Sequence, residues 1–175
     1  MRNDAVSRLT RMALCTAVLC TVAPLSLPIG PVSLTLGVFG VLLCGALLSP
    51  DQALLATTAY LLLGLAGLPV FAGFGAGPGA LFGVTGGYLL AYPLMAAVLS
   101  GVCAVTRRPA ARLAGVALAN LCCYTLGTGW FMLMTGQALL PALTACVLPF
   151  VLPDLFKGWC ALALAAALER RRVRL

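Results

Sequence analysis

The stretch Leu148–Leu175, LPFVLPDLFKGWCALALAAALERRRVRL, decides the fold. Its first part is an apolar run, and roughly 20 such residues cross a bilayer as a helix. It closes on Arg170, Arg171, Arg172 and Arg174. Clustered arginine beside a span marks the cytoplasmic side. The last span therefore runs from outside to inside.

Working back along the chain, apolar runs stand at about 12–27, 33–48, 52–67, 86–105, 111–134 and 143–168. The breaks between them are chemically sensible. Pro24, Pro28, Gly30 and Pro31 end the first, and Ser49-Pro50-Asp51 forms a turn after the second. A Gly/Pro-rich stretch separates the third from the fourth, Arg107-Arg108-Pro109 closes the fourth, and Gly136 to Pro141 follows the fifth.

Charge tests this layout. The other arginines form two groups, Arg2, Arg8 and Arg11, then Arg107, Arg108 and Arg112. With six crossings and a cytoplasmic N-terminus, every arginine group lies inside. The opposite loops, near 25–32, 68–85 and 135–142, carry no charge. Five or seven crossings would strand the final arginines outside. The expectation is an all-α integral membrane protein with six transmembrane helices and both termini cytoplasmic.

Composition agrees. The 175 residues are 62% hydrophobic and 9% charged, against about 25% charged in an ordinary soluble domain. So few charges cannot cover a water-exposed surface, so most of it must face lipid. Six crossings leave room for a single membrane domain, 1–175, and none for a soluble one. The run from Ala13 to Leu27 follows Arg2, Arg8 and Arg11 as a signal peptide would. More apolar segments follow at once, so it is read as the first helix. The net charge of +7 reflects topology, and no aromatic-rich basic stripe argues for nucleic acid. Eight cysteines without C-x-x-C spacing, and no histidine, speak against a zinc site or a disulfide framework.

Topology does not explain two charges, Asp154 and Lys157, the latter the chain's only lysine. Spaced i, i+3, they share a helix face. A charge at membrane depth costs roughly 2.5–3.5 kcal/mol on insertion scales, less where it faces a cavity or a partner. On charge alone two readings stand open, a polar ligand site and a mutual structural ion pair. Pro153 is favoured in a first helical turn, so the last helix is expected to start near it, after a partly irregular segment at 143–150. Asp154 would then sit at a helix N-terminus.

The loop between helices three and four, around Gly67–Leu89, is long, uncharged and glycine-rich. Val70, Phe71, Phe74, Leu81 and Phe82 make it apolar enough to fold onto the bundle as a lid over an outward-facing pocket. Tyr88, Tyr92, Trp130 and Phe71 offer an apolar wall. No G-x-x-x-x-G-K occurs, so the chain lacks the usual ATPase loop. A lone acid and amine suit binding better than catalysis. The alternatives from other classes are a small intramembrane enzyme and a channel or scaffold.

Three stretches resemble one family, the biotin-specific BioY substrate-binding (S) subunits of energy-coupling factor (ECF) transporters. They are PVSLTLGVFGVLLCGALL (Pro31–Leu48), GLPVFAGFGAGPGALFGVTGGYLLAYP (Gly67–Pro93) and LPFVLPDLFKGWCALALAAAL (Leu148–Leu168). The chain departs from the family pattern at Gly37, Val84 and Pro153, where glutamine, proline and glycine stand in the family. The resemblance implies high-affinity uptake of biotin across the bacterial cytoplasmic membrane, without a cofactor. A related alternative is the same fold carrying another vitamin. The resemblance implies Asp154 and Lys157 at the site, with Phe71, Gly73, Thr85, Gly86, Gly87 and Tyr88 from the loop and its exit. It implies a transmembrane coupling subunit and two ATPase subunits as partners. Ala13 and Ala17 form an A-x-x-x-A face for docking, since small residues four apart let membrane helices approach closely.

Overall fold

The computed structural model describes residues 2–29 and 32–172. Gly30 and Pro31 of the first break, and Arg174, lie outside the described residues. The chain forms α1 (Arg2–Val22), a β-hairpin of β1 (Ser26–Ile29) and β2 (Val32–Thr35), α2 (Gly37–Leu47) and α3 (Pro50–Leu65). A short 3-10 turn (Ala72–Phe74), α4 (Gly77–Leu81), α5 (Gly86–Leu90) and α6 (Tyr92–Val105) follow. Then come α7 (Pro109–Thr135), α8 (Leu139–Cys146) and α9 (Leu148–Arg172).

Among the described residues, four stretches of helix are long and apolar enough to cross a membrane: Ala5–Val22, Gly86–Val105, Pro109–Thr135 and Leu148–Arg170. Each of the six apolar runs holds a helix. Prolines start two of them, Pro50 in α3 and Pro109 in α7, where a missing N–H is harmless and φ is already helical. Gly136, at φ 69°, ends α7 and donates its N–H to the Met132 carbonyl at 2.8 Å. This left-handed residue is the usual device for closing a helix.

The run 33–48 is not one helix. Its first residues form β2, paired antiparallel with β1 so that Ser26 faces Thr35 and Ile29 faces Val32. Val32-Ser33-Leu34-Thr35 alternates apolar and polar, the period of a strand. The Thr35 hydroxyl accepts the Gly37 N–H at 3.1 Å, which lets α2 begin there. At 11 residues, α2 is only about 16 Å long at 1.5 Å per residue. The half-buried strand β2 leads the chain into α2.

The last run also departs from expectation. Residues 139–146 are helical, the break falls at Val147 (φ −122°, ψ −56°), and Pro153 lies inside α9. Asp154 therefore stands beyond the first turn of α9 rather than at a helix N-terminus. The Phe150 and Val151 N–H groups return to the Val147 carbonyl, so helix starts upstream of Pro153. The ring then removes one interior bond, to the Pro149 carbonyl.

The core runs along α6 and α2. Tyr92, Met95, Ala96 and Leu99 form a fully buried stripe on α6, spaced for one helix face. Val41, Leu42 and Cys44 of α2 pack into the same core. Outward faces carry exposed Leu, Val, Phe and Trp, as a lipid-facing surface requires. At one end of the molecule Arg8 pairs with Asp51 at 3.2 Å. Arg11 and Glu169 border one groove between α1, α2 and α9. The first and last helices thus bring their charged ends together.

Candidate functional site

A cavity of 350 Å³ lies between the hairpin, α3, α7, α9 and the 66–85 loop. Asp154 and Lys157 both line it. The Lys157 Nζ donates to Asp154 Oδ1 at 2.8 Å, and the two side chains are 10% and 5% exposed, lysine first. The Tyr124 hydroxyl donates to the other carboxylate oxygen, Oδ2, at 2.8 Å. A three-member polar chain, Lys157–Asp154–Tyr124, thus stands on a mainly apolar wall. Charge-assisted bonds of this kind are among the stronger ones a protein makes.

The loop closes the other side. Phe71, Ala72, Gly79, Ala80, Gly83, Val84 and Thr85 all line the cavity. Phe71 is 2% exposed and meets the Tyr60 ring edge-on at 5.6 Å. The Tyr60 hydroxyl donates to the Val70 carbonyl at 3.0 Å, and Trp130 Nε1 donates to the Gly83 carbonyl at 2.9 Å. The Gly73 N–H donates to the Pro24 carbonyl at 3.0 Å. The loop is therefore strapped to α3, to α7 and to the turn before the hairpin.

Of the expected site residues, Asp154, Lys157, Phe71, Thr85 and Tyr88 line one cavity. Gly73, Gly86 and Gly87 do not. Gly86 lies against the Leu81 carbonyl and Gly87 against the Trp130 side chain, each leaving no space for a Cβ. Gly73, at φ 62°, supplies a turn. These glycines shape the loop rather than face the cavity. Trp130 anchors the loop instead of forming wall. Val70, Phe71 and Leu81 fold inward, whereas Phe74 and Phe82 are exposed. Phe74 itself adopts φ 62°.

Several cavity residues carried little or no sequence signal of their own. Ser33 and Thr35 come from the unforeseen strand, and Tyr124, Cys123, Cys146 and Phe150 from helices. Tyr124 had one faint signal, since a tyrosine in an apolar span needs a partner for its hydroxyl. Gly37 does not line the cavity, and a Cβ there would stand 3.0 Å from the Tyr92 hydroxyl. Tyr92 thus fills the space beside Gly37. Among the described residues no group of three His, Cys, Asp or Glu side chains could hold a metal ion. Ala13 and Ala17 are exposed on α1, while Thr16 and Leu19 face the bundle.

The fold and cavity define a multi-pass membrane protein with a mostly apolar pocket and a buried acid–amine pair. Residues 1–174 match the BioY family as a whole, and the chain belongs to that family. It is 37% identical to a probable biotin transporter BioY of Pyrococcus horikoshii, over 90% of this chain and 93% of that one. It is 35% identical to the biotin transporter BioY of Thermotoga maritima, over 95% and 98%. These relatives are named as transporters, not enzymes. A crystal structure of the S-component for biotin from an ECF-type ABC transporter superposes with a TM-score of 0.90. It is 26% identical and covers 97% of this chain and 94% of its own.

Proposed function

We propose that this protein binds biotin with high affinity and takes it up across the cytoplasmic membrane as the S subunit of an ECF-type transporter. Family membership and the biotin transporters among its relatives support the substrate. The observation that carries the reading is the Lys157–Asp154–Tyr124 chain on the wall of a 350 Å³ cavity. Small-molecule pockets are mostly apolar with a few convergent polar groups, and their volumes start near 300 Å³. Biotin has that character: a bicyclic urea and an aliphatic carboxylate tail. Asp154 offers acceptors to the urea N–H groups, Lys157 offers an ammonium to an oxygen, and Phe71, Tyr88 and Phe150 offer apolar surface.

In this account the chain is one membrane domain with six crossings and both termini cytoplasmic, in a bacterial inner membrane. The cavity opens outward and the 66–85 loop is its lid. With no ATPase loop of its own, the subunit depends on a transmembrane coupling subunit and two ATPase subunits for energy. Ala13 and Ala17 of α1 form the docking face.

Titration of the purified protein in detergent tests the reading. Biotin should bind saturably, and Lys157→Ala and Asp154→Asn should each bind it more weakly. Absence of binding by the wild-type protein would overturn it.

A further inference from the structure

Several buried polar side chains in the helices of this protein have partners. Thr16 donates to the Ala56 carbonyl at 3.0 Å, Thr57 to the Ala53 carbonyl at 2.7 Å, and Tyr88 shares a bond with Thr128 at 3.0 Å. Among the described residues, Asn120 supplies the fully buried side-chain N and O atoms that have none. It is 3% exposed, and neither its Oδ1 nor its Nδ2 has a hydrogen-bond partner. An amide left unpaired in an apolar interior carries its full desolvation penalty. Such a residue is expected to find its partner in another state of the protein.

Its position indicates which state. Tyr124 and Val116 lie one helical turn to either side of Asn120, on the same face of α7. Tyr124 reaches Asp154 of α9. Val116 packs against Gly158 of α9 so closely that a Cβ there would meet its Cγ1. Asp154 and Gly158 bracket Lys157, so Asn120 stands level with Lys157 on the facing helix. Lysine has three N–H donors, and the pair with Asp154 uses one of them. A ligand that donates to Asp154 competes for the acceptor Lys157 holds, and the ammonium then needs another acceptor.

We propose that Asn120 is a positioning residue of the binding site, whose amide oxygen takes the Lys157 ammonium when a ligand engages Asp154. The proposal rests on reading the cavity as the biotin site. It adds a group outside the cavity lining that sets affinity through Lys157.

The test uses the full-length protein in detergent and compares biotin titration with thermal unfolding for the wild type, Asn120→Leu and Asn120→Asp. Asn120→Leu should unfold at or above the wild-type temperature in the absence of biotin, because it removes an unpaired buried amide. Its affinity should nevertheless fall roughly ten-fold or more, the scale of one lost bond to a charged group. Asn120→Asp keeps the acceptor and should recover most of the affinity. Wild-type affinity in Asn120→Leu would overturn the proposal while leaving the biotin site intact. Failure of the wild type to bind would instead overturn the reading of the cavity. Should Asn120→Leu not fold, selective 15N labelling of asparagine decides. The chain holds two asparagines, Asn3 and Asn120. Movement of the Asn120 side-chain signals on adding biotin supports the proposal, and unmoved signals overturn it.

Discussion

Tyr124 of α7 and Asp154 of α9 meet hydroxyl to carboxylate at 2.8 Å, across 30 residues of chain. That bond leaves Asp154 Oδ1 for Lys157 and fixes which way the carboxylate points into the cavity. Tyr124→Phe removes the donor and keeps the ring. A hydrogen bond to a charged group is worth about 1.5–3 kcal/mol. Biotin affinity is expected to fall by about ten-fold or more, with the helical circular dichroism spectrum unchanged. Calorimetric titration reads the change, and equal affinities would separate Tyr124 from the site.

The ion pair can be tested apart from its contribution to folding. Removing one partner of a buried pair strands a charge and costs about 3–5 kcal/mol, whereas apolar replacement of both is often neutral. Lys157→Met alone and Asp154→Leu alone should each lower the unfolding temperature. The double variant should regain most of it and still bind no biotin. A double variant that binds normally would make the pair purely structural.

How much of this was legible in the sequence follows from the range of each interaction. Hydropathy is local, so the six runs each held a helix, and the i, i+3 spacing put Asp154 and Lys157 together. The hairpin was missed because Val32–Thr35 is four residues long and merges with the apolar run of α2. Pro153 misled for a related reason. Proline favours a first turn, yet Val147 and the residues after it had already started the helix. Tyr124 depends on how α7 and α9 register against each other, and one-dimensional spacing does not encode that. The loop glycines carried a clear signal, but Gly86 and Gly87 serve close packing rather than ligand approach.

The 66–85 loop has its own anchor. Trp130→Phe deletes the N–H that holds the Gly83 carbonyl at 2.9 Å and keeps most of the aromatic packing. The loss is about 1 kcal/mol. Hydrogen exchange of the 79–85 amides should quicken and biotin should dissociate faster. Unchanged exchange would show that the anchor does not restrain the loop.

Ala13 and Ala17, the proposed docking residues, do not line the cavity. Ala13→Leu with Ala17→Leu enlarges the exposed side of α1 and touches no cavity residue. Biotin affinity of the isolated subunit should be unchanged, while co-purification with the coupling and ATPase subunits should be lost. Retained co-purification would move the docking face elsewhere.

The most direct test is a structure of the protein solved with biotin. Density for the ligand should lie between α9 and the 66–85 loop, with its ring polar atoms in hydrogen-bond reach of Asp154 or Lys157 and its apolar surface against Phe71. Biotin bound elsewhere, with the Asp154–Lys157 cavity empty, would contradict the account.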